Sequence, residues 1–505
     1  MNISRTLDGP PPIRHTTTNS GPNGAGAPSD LRFRDEEDFK DYDDAVESPY
    51  PSEEKLSSQE KFHLAALVLA YASLISNQTM IVGTSAVVVL SVGGSRQLAP
   101  IALAAFFSGS AFISLVTAPM FLSGGRRVGF LIGILLGVLG AGIGEVGVGS
   151  RSPWLIIGAS LPLGAANGIG MHLRFAAVEV VPPFAKASAV TLVLSGGCIA
   201  AFAGPESAEG TRGVFGDEFE FVGVFLMVTI FNFLNAIFTG VVRFPEQEQQ
   251  QQEGATKPSH QELASQRRKR TDTRAAASSD DVSLFPLLLR RQFFMPALIA
   301  AFSWAIMAMP MSVVRVAMTQ LGFSNRLSLL TIEFHFLGMF SPGFFTGKLI
   351  GRFGAIAVSA MAVLLFVVGT VLSLISNEDT SVATWMLALI FMGIGWNFGF
   401  ASATVLLPRA YQDAPSFKTR VEAANDFVMF LIAGAFIFST GYVYEAGGSL
   451  LAGWQTVNFF VLFLIVVMAV IVGTEMYCQQ RDADDEEERL KRTQTFRRKQ
   501  DVENR

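Results

Sequence analysis

Several ionisable side chains lie inside long apolar stretches of this chain. Glu333 and His335 stand two residues apart within the apolar segment Ile332–Gly354, and Arg315 and Asp426 have similar surroundings. An ionised side chain at the centre of a bilayer costs about 3 kcal/mol or more, so such residues are usually retained for a function. The chemistry open to these residue types is proton binding, ion pairing and recognition of a polar solute.

Glu333 and His335 are expected on different faces of one helix, because two residues correspond to about 200° around the helix axis. Histidine titrates near neutral pH, which makes His335 a candidate for proton coupling. The alternative is a neutral imidazole that donates a hydrogen bond to a backbone carbonyl of a neighbouring helix. Arg315 is the expected partner of Glu333, unless its side chain reaches out to the membrane surface.

Asp426 is a candidate proton carrier or gate residue, because it lies near the start of a further apolar stretch. Its expected partners are Arg352 and Arg409. Lys348 and Arg352 lie at the glycine-rich end of the segment that holds His335, and we assign both to gating.

Amide, tryptophan and arginine side chains in other apolar stretches form a candidate binding set for a flat, partly polar solute. The competing interpretation is structural, since Asn and Gln also hydrogen-bond between membrane helices. An arginine near a membrane surface, similarly, often faces lipid headgroups. The set consists of Asn77, Gln78, Asn167, Arg174, Trp304, Trp396 and Asn397.

The distribution of charge indicates a polytopic membrane protein. Only 16% of the 505 residues are charged, against about a quarter in a soluble globular chain. About twelve apolar stretches are long enough to cross a bilayer, which predicts an all-α integral membrane fold. The predicted spans are 63–90, 98–121, 128–149, 153–179, 185–206, 220–242, 295–320, 326–350, 353–376, 382–407, 421–445 and 453–476.

The spans divide into two groups of six around a polar segment. We therefore predict a disordered tail 1–62, a helical bundle 63–242, a disordered central segment 243–294, a second bundle 295–476 and a charged tail 477–505. An even number of spans places both ends on one side of the membrane. Lys and Arg are more frequent in the connections on that side, which predicts cytoplasmic ends. Plasma membrane and organelle both fit this pattern.

The two halves contain a weak internal repeat. "SGGRRVGFLIG" and "GKLIGRFGAIAV" each lie between the second and third span of their half, and each supplies glycine and basic residues for a turn at the membrane surface. Two related halves are the usual plan of a secondary transporter, with the binding site between them.

"GFFTGKLIGRFG" resembles the loop signature of the major facilitator superfamily, although Gly351 stands where that signature has Asp. A narrower likeness, to a bacterial branch near riboflavin importers, rests on segments within residues 63–475. These segments are "RFAAVEV", "LSGGCIAAFAGP", "FHFLGMFSPGFFTGKLIGRFG", "GIGWNFGFASATVLL", "AANDFVMF" and "GWQTVNFF". The resemblance implies secondary transport of a small organic solute, with protons as the candidate coupling ion.

Two other functions remain open at this stage. Drug or metabolite efflux is one, because Gly204-Pro205 matches the end of the glycine-rich signature found in antiporters of that superfamily. A membrane scaffold or sensor is the other, although polar residues inside spans argue against it. We expect no enzymatic activity, cofactor, metal or nucleic-acid partner, because the nucleotide-binding and metal-binding motifs are absent from the sequence.

The predicted orientation is testable by cysteine labelling of intact cells. A cysteine introduced at Ser150 should react with an impermeant reagent, if the protein is in the plasma membrane. A cysteine at Ser265 should react only after permeabilisation. The opposite pattern would contradict the orientation inferred from the basic residues.

Overall fold

The regular structure is helical throughout the part of the chain that the computed structural model describes, residues 56–177, 179–182, 185–244 and 284–503. The long helices are labelled α1 to α12 in chain order. They are α1 Ser58–Ser91, α2 Ala99–Phe121, α3 Ser123–Gly149, α4 Pro153–Ala176, α5 Lys186–Gly210, α6 Val222–Gly240, α7 Arg291–Gln320, α8 Asn325–Phe340 with Gly343–Phe353, α9 Ala355–Ile375, α10 Val382–Leu406, α11 Lys418–Ala446 and α12 Leu450–Glu503.

Ten helices of the described chain are long and apolar enough to cross a membrane. The two others that complete the set are α5 and α8. The latter is interrupted before Gly343, where Pro342 has no N–H to continue the helical hydrogen bonds. The all-α prediction is confirmed. We call α1–α6 the first half and α7–α12 the second half, and their assignment to two separate bundles stays a prediction.

The two repeated connections turn in the same way. Gly125 interrupts the helical backbone near the start of α3 with φ 74° and ψ 168°, and Gly354 separates α8 from α9 with φ 84° and ψ 154°. A side chain is strained at such a positive φ, so glycine is the residue that this turn requires. The repeat seen in the sequence is therefore a repeat of backbone conformation.

The helices of each half pack closely, and several pairs of helices also contact each other between the halves. Within the halves, α1 packs on α5 and α6, and α10 packs on α8 and α9. Between the halves, α2 packs on α11, α5 on α8, and α1 on α7. We call the membrane face on which α1 begins the tail side, and the opposite face the far side.

The ends of the second half differ from the prediction. The helix Leu284–Leu288 and the start of α7 lie inside the segment 243–294 that was expected to be disordered. Leu287 is buried there against Phe293 and Leu407, and burial of these side chains favours an ordered structure. The helix α12 also continues beyond residue 476, supported by ion pairs one turn apart, such as Lys491 with Glu487. The first helix α1 likewise begins at Ser58, inside the predicted tail 1–62, where Ser57 caps it. Residues 1–55 of that tail and most of the central segment lie outside the described residues.

The close approach of α2 and α4 depends on Gly164, which lies against the backbone of Phe106. A Cβ added at Gly164 would lie 1.8 Å from the carbonyl oxygen of Phe106, whereas one added at Gly158 meets nothing within 4 Å. Gly164→Ala should therefore force the helices apart and lower the free energy of unfolding by about 1–3 kcal/mol. Gly158→Ala, on the same helix, is the matched control. Thermal unfolding of purified protein in detergent measures both, and equal melting temperatures would contradict the packing argument.

Candidate functional site

A cluster of aromatic rings fills the centre of the interface between the two halves. The ring centroids of Trp304 and Trp396 are 4.9 Å apart in an edge contact, and Trp396 stacks on Phe400 at 5.3 Å. Phe107 contributes from the first half, with its ring 5.3 Å from Trp304. We define the central aromatic cluster as Phe107, Trp304, Phe340, Trp396, Phe400 and Phe430.

Both tryptophans of this cluster have an indole N–H without an acceptor. The side chains are 2% and 5% exposed, and neither Nε1 atom of Trp304 or Trp396 makes a hydrogen bond within the described residues. A buried indole N–H usually finds an acceptor. The cluster therefore combines flat apolar faces with two donors that a bound solute could satisfy.

Arg174 closes the interface on the tail side of the cluster. Its guanidinium, at the end of α4, lies over the ring of Phe400 in the second half, 5.4 Å from the centroid. Its positive charge also attracts Asp426 and Glu422 on α11, although it forms no ion pair or hydrogen bond with either carboxyl group. Asp426 is 9% exposed and accepts a hydrogen bond of 3.2 Å from the amide of Asn425.

The predicted partner of Asp426 is corrected by this arrangement. Asp426 forms no ion pair with Arg352 or Arg409; its hydrogen-bond donor is Asn425, and the arginine that attracts it electrostatically is Arg174 of the opposite half, without a direct ion pair. Lys348 and Arg352 are exposed on the tail-side segment of α8 and pair with no described carboxylate. In the first repeat, Arg126 instead forms an ion pair with Glu179 at the end of α4. These pairings depend on which helix ends meet, which residue spacing does not reveal.

The predicted direct pair between Arg315 and Glu333 is not formed. Arg315 donates a hydrogen bond of 2.8 Å to the backbone carbonyl of Gly83 on α1, and its Nη2 lies 3.9 Å from Glu209 on α5. Glu333 instead lies 3.7 Å from Arg326, which also pairs with Glu206 of α5 at 2.6 Å. These contacts close the interface between the halves on the far side. The partners differ from the expectation because α5 of the first half supplies two acids here, Glu209 for Arg315 and Glu206 for Arg326.

His335 and Asn397 join α8 to α10 within the second half. The Nδ1 of His335 is 2.7 Å from the carbonyl oxygen of Leu389, the contact expected of a neutral, structural imidazole. Asn397 donates to the carbonyl of Met339 at 2.7 Å and accepts from the hydroxyl of Thr346 at 2.7 Å. Asn397 thus satisfies polar groups beside the interruption of α8, so its contacts are structural.

The remaining amides lie together inside the first half and apart from the tryptophans. Asn77, Gln78 and Asn167 line a cavity of about 10 Å³ with Asn232. The Oδ1 atoms of Asn77 and Asn167 have no hydrogen-bond partner among the described residues. A cavity of this size has room for about one water molecule.

Two groups of residues in this interface were missed by sequence reasoning. The phenylalanines of the central aromatic cluster were indistinguishable from other lipid-facing or core phenylalanines. Glu206 and Glu209 carried a usable signal, because acids three residues apart share a helix face and these follow Gly204-Pro205 near the end of an apolar span.

The sequence profile of the Major Facilitator Superfamily matches residues 67–436. The chain belongs to the major facilitator superfamily. It is thus an integral, multi-pass membrane transporter of a small-molecule solute, and not an enzyme.

Two bacterial relatives align with most of this transporter. The riboflavin transporter RfnT of Brucella anthropi is 28% identical over 408 residues, which cover 81% of this chain and 94% of that protein. The uncharacterized MFS-type transporter YddS of Bacillus subtilis is 24% identical over 345 residues, covering 68% of this chain and 75% of that one.

Solved structures of other transporters share the fold at low sequence identity. A D-xylose–proton symporter has a TM-score of 0.54 and 13% identity, covering 79% of this chain and 96% of its own. The nucleoside transporter NupG has a TM-score of 0.58 and 11% identity, covering 82% of this chain and 99% of its own. Both comparisons support the predicted fold of about twelve helices.

The electrostatic attraction between Arg174 and Asp426 predicts that substitutions of the two residues have coupled effects on stability. Arg174→Gln or Asp426→Asn alone leaves the other charge buried without compensation, which should lower the free energy of unfolding by about 1–3 kcal/mol. The double variant removes both charges and should recover part of that loss. A double-mutant cycle on thermal unfolding measures the coupling. Arg352→Gln is the exposed control, and additive effects of the two interface variants would contradict the contact.

Proposed function

We propose that this transporter carries a flat heteroaromatic solute of the flavin class, and that the central aromatic cluster binds it between the two halves. The proposal rests mainly on the cluster itself. Aromatic rings from both halves converge there, and its two buried indole N–H groups have no hydrogen-bond acceptor among the described residues. Flat solutes with carbonyl and ring-nitrogen edges complement such a site, since stacking uses the faces and hydrogen bonds use the edges.

The composition of the cluster favours stacking over binding of a sugar or a strongly charged solute. Trp396 and Phe400 are already nearly parallel, with an angle of 12° between their rings. Arg174 at the border of the cluster adds one positive charge over Phe400. A neutral or weakly anionic aromatic solute satisfies both features.

The proposed transport mechanism is alternating access, in which the interface between the halves opens to one side of the membrane at a time. Contacts of Arg315, Arg326, Glu206 and Glu209 join the halves on the far side. On the tail side, Arg174 of the first half lies over Phe400 of the second half and attracts Asp426. Opening one set while the other remains closed would expose the cluster to one side at a time. Asp426 is the candidate coupling residue on the tail side, because protonation would remove its attraction to Arg174.

The similarity to the riboflavin transporter RfnT supports the solute class. The efflux alternative rested on Gly204-Pro205. A Cβ at Gly204 would lie 2.4 Å from the carbonyl oxygen of Ser76, so the small residue is required for packing of α5 on α1. This packing explains the glycine without reference to the direction of transport.

Riboflavin uptake tests the proposal directly. Cells that lack their own importer should accumulate radiolabelled riboflavin when they express this chain. Trp396→Phe keeps the ring but removes one N–H donor, and loss of one hydrogen bond of about 1.4 kcal/mol predicts about a tenfold lower apparent affinity. Trp396→Ala also removes the stacking surface and should abolish measurable uptake.

Trp454 supplies the matched control. It is buried in the same half, but its indole N–H already donates to the carbonyl of Ser373 at 2.7 Å, and it lies outside the cluster. Trp454→Phe should therefore affect protein stability without a selective change in apparent affinity. Riboflavin accumulation no greater than in cells without the protein would overturn the solute class. Equal affinity in the Trp396 and Trp454 variants would overturn the assigned site.

A further inference from the structure

The far-side contacts contain one carboxyl group more than their arginines can balance. Arg212 and Arg315 share contacts with Glu209 and Glu220, which makes a balanced group. Arg326 alone meets two carboxyl groups, Glu206 from α5 and Glu333 from α8.

The second of these carboxyl groups is deeply buried. The side chain of Glu333 is 0% exposed, and neither of its oxygens accepts a hydrogen bond from a described residue. Glu206 is half-exposed and holds Arg326 at 2.6 Å, whereas Glu333 is 3.7 Å from the same guanidinium. A buried carboxylate that accepts no hydrogen bond and shares its nearest guanidinium with a second carboxyl group is strongly disfavoured, so the neutral acid is the stable form in this closed arrangement.

No other charged group on the surrounding helices relieves this imbalance. The charged residues that act on Glu333 from neighbouring elements are Glu206 on α5 and Arg315 on α7, with Arg326 on its own helix. Arg315 is already engaged by Gly83 and Glu209. The other helices that pack on α8, α1 and α10, carry no charged side chain in their far-side portions.

We propose that Glu333 binds a proton when the far side is closed, and that Glu206, Arg326 and Glu333 form a proton-dependent gate. Closing brings Glu206 of the first half onto Arg326 of the second half, so that two carboxyl groups compete for one guanidinium. Opening removes Glu206 with α5 and leaves Arg326 to Glu333 alone, in contact with water. The proton bound on closing is then released.

The direction of the pH effect follows from this difference in proton binding. The closed far side binds one proton more than the open far side, so a fall in pH stabilises the closed state. For a single proton, the ratio of the two states changes by at most about tenfold per pH unit. This proton site is separate from Asp426 and does not depend on which solute the transporter carries.

Accessibility of a cysteine at Val316 measures the gate without any solute. Val316 is 5% exposed and packs on Ala86 and Ala99 of the first half at the far side. The experiment uses the full-length purified protein with Cys198→Ser, Cys478→Ser and Val316→Cys, labelled with a maleimide between pH 5 and pH 8. Rates are divided by those of a cysteine at the exposed Ser150, which corrects for the ionisation of the thiol itself.

The normalised labelling rate should rise with pH by up to about tenfold per unit. Glu333→Gln mimics the protonated acid and should give a slow rate at every pH. Glu378→Gln, which removes an exposed far-side acid outside the gate, should follow the parent protein. A parent rate that does not depend on pH, or a Glu333→Gln variant that is fast or still pH-dependent, would overturn the proposal.

Glu206→Gln gives an independent test, including the case in which Glu333→Gln does not fold. It leaves one carboxyl group for Arg326, so Glu333 can stay ionised in both states and the rate should lose its pH dependence. Retention of the parent pH dependence in Glu206→Gln would overturn the proposal. Failure of riboflavin transport would leave these labelling results unaffected, so the two proposals fail separately.

Discussion

Charged groups buried between two halves of a membrane protein need compensation, and in this transporter that compensation comes from the opposite half. Arg315 of the second half donates a hydrogen bond to the carbonyl of Gly83 and lies close to the carboxylate of Glu209, and both partners belong to the first half. Arg174 of the first half acts on Asp426 of the second. A buried charge that loses its compensating group destabilises the protein by about 1–3 kcal/mol or more. The state of the interface therefore decides which charges are satisfied.

Contacts within each half are of a different kind. Small residues bring helix backbones together, as where a Cβ at Gly393 would lie 2.6 Å from the carbonyl oxygen of His335. Side-chain hydrogen bonds to backbone carbonyls, such as those of His335 and Asn397, add directional constraints between α8 and α10. Such packing leaves little room for relative movement of neighbouring helices. It is consistent with halves that move as units while the contacts between them change.

The central aromatic cluster lies between the charged groups of the tail side and those of the far side. Its contacts are apolar and do not require a specific partner. Aromatic rings attract one another and a flat solute through the same faces, so a ring–ring contact can be exchanged for a ring–solute contact at small cost. The indole N–H groups of Trp304 and Trp396 add direction to that exchange. Polar specificity and apolar attraction are thus supplied by the same two side chains.

The sequence by itself determined the membrane fold, the approximate span boundaries and the glycine turns at Gly125 and Gly354. These features follow from local properties: the length of apolar stretches, the distribution of charge and the backbone freedom of glycine. The sequence also identified Arg174, Arg315, Glu333 and Asp426, because charge inside an apolar span is conspicuous, but it did not identify Glu206 and Glu209 near the end of a span.

Only the tertiary structure decided the partners of those residues. Arg315 was expected to meet Glu333 on the adjacent helix, but Glu209 is closer because α5 of the first half packs across that end of α8. Phe107 and Phe430 joined Trp304 for the same reason, since helices distant in sequence converge at the centre. Contacts between halves depend on helix packing in three dimensions, and residue spacing within one helix carries no information about it.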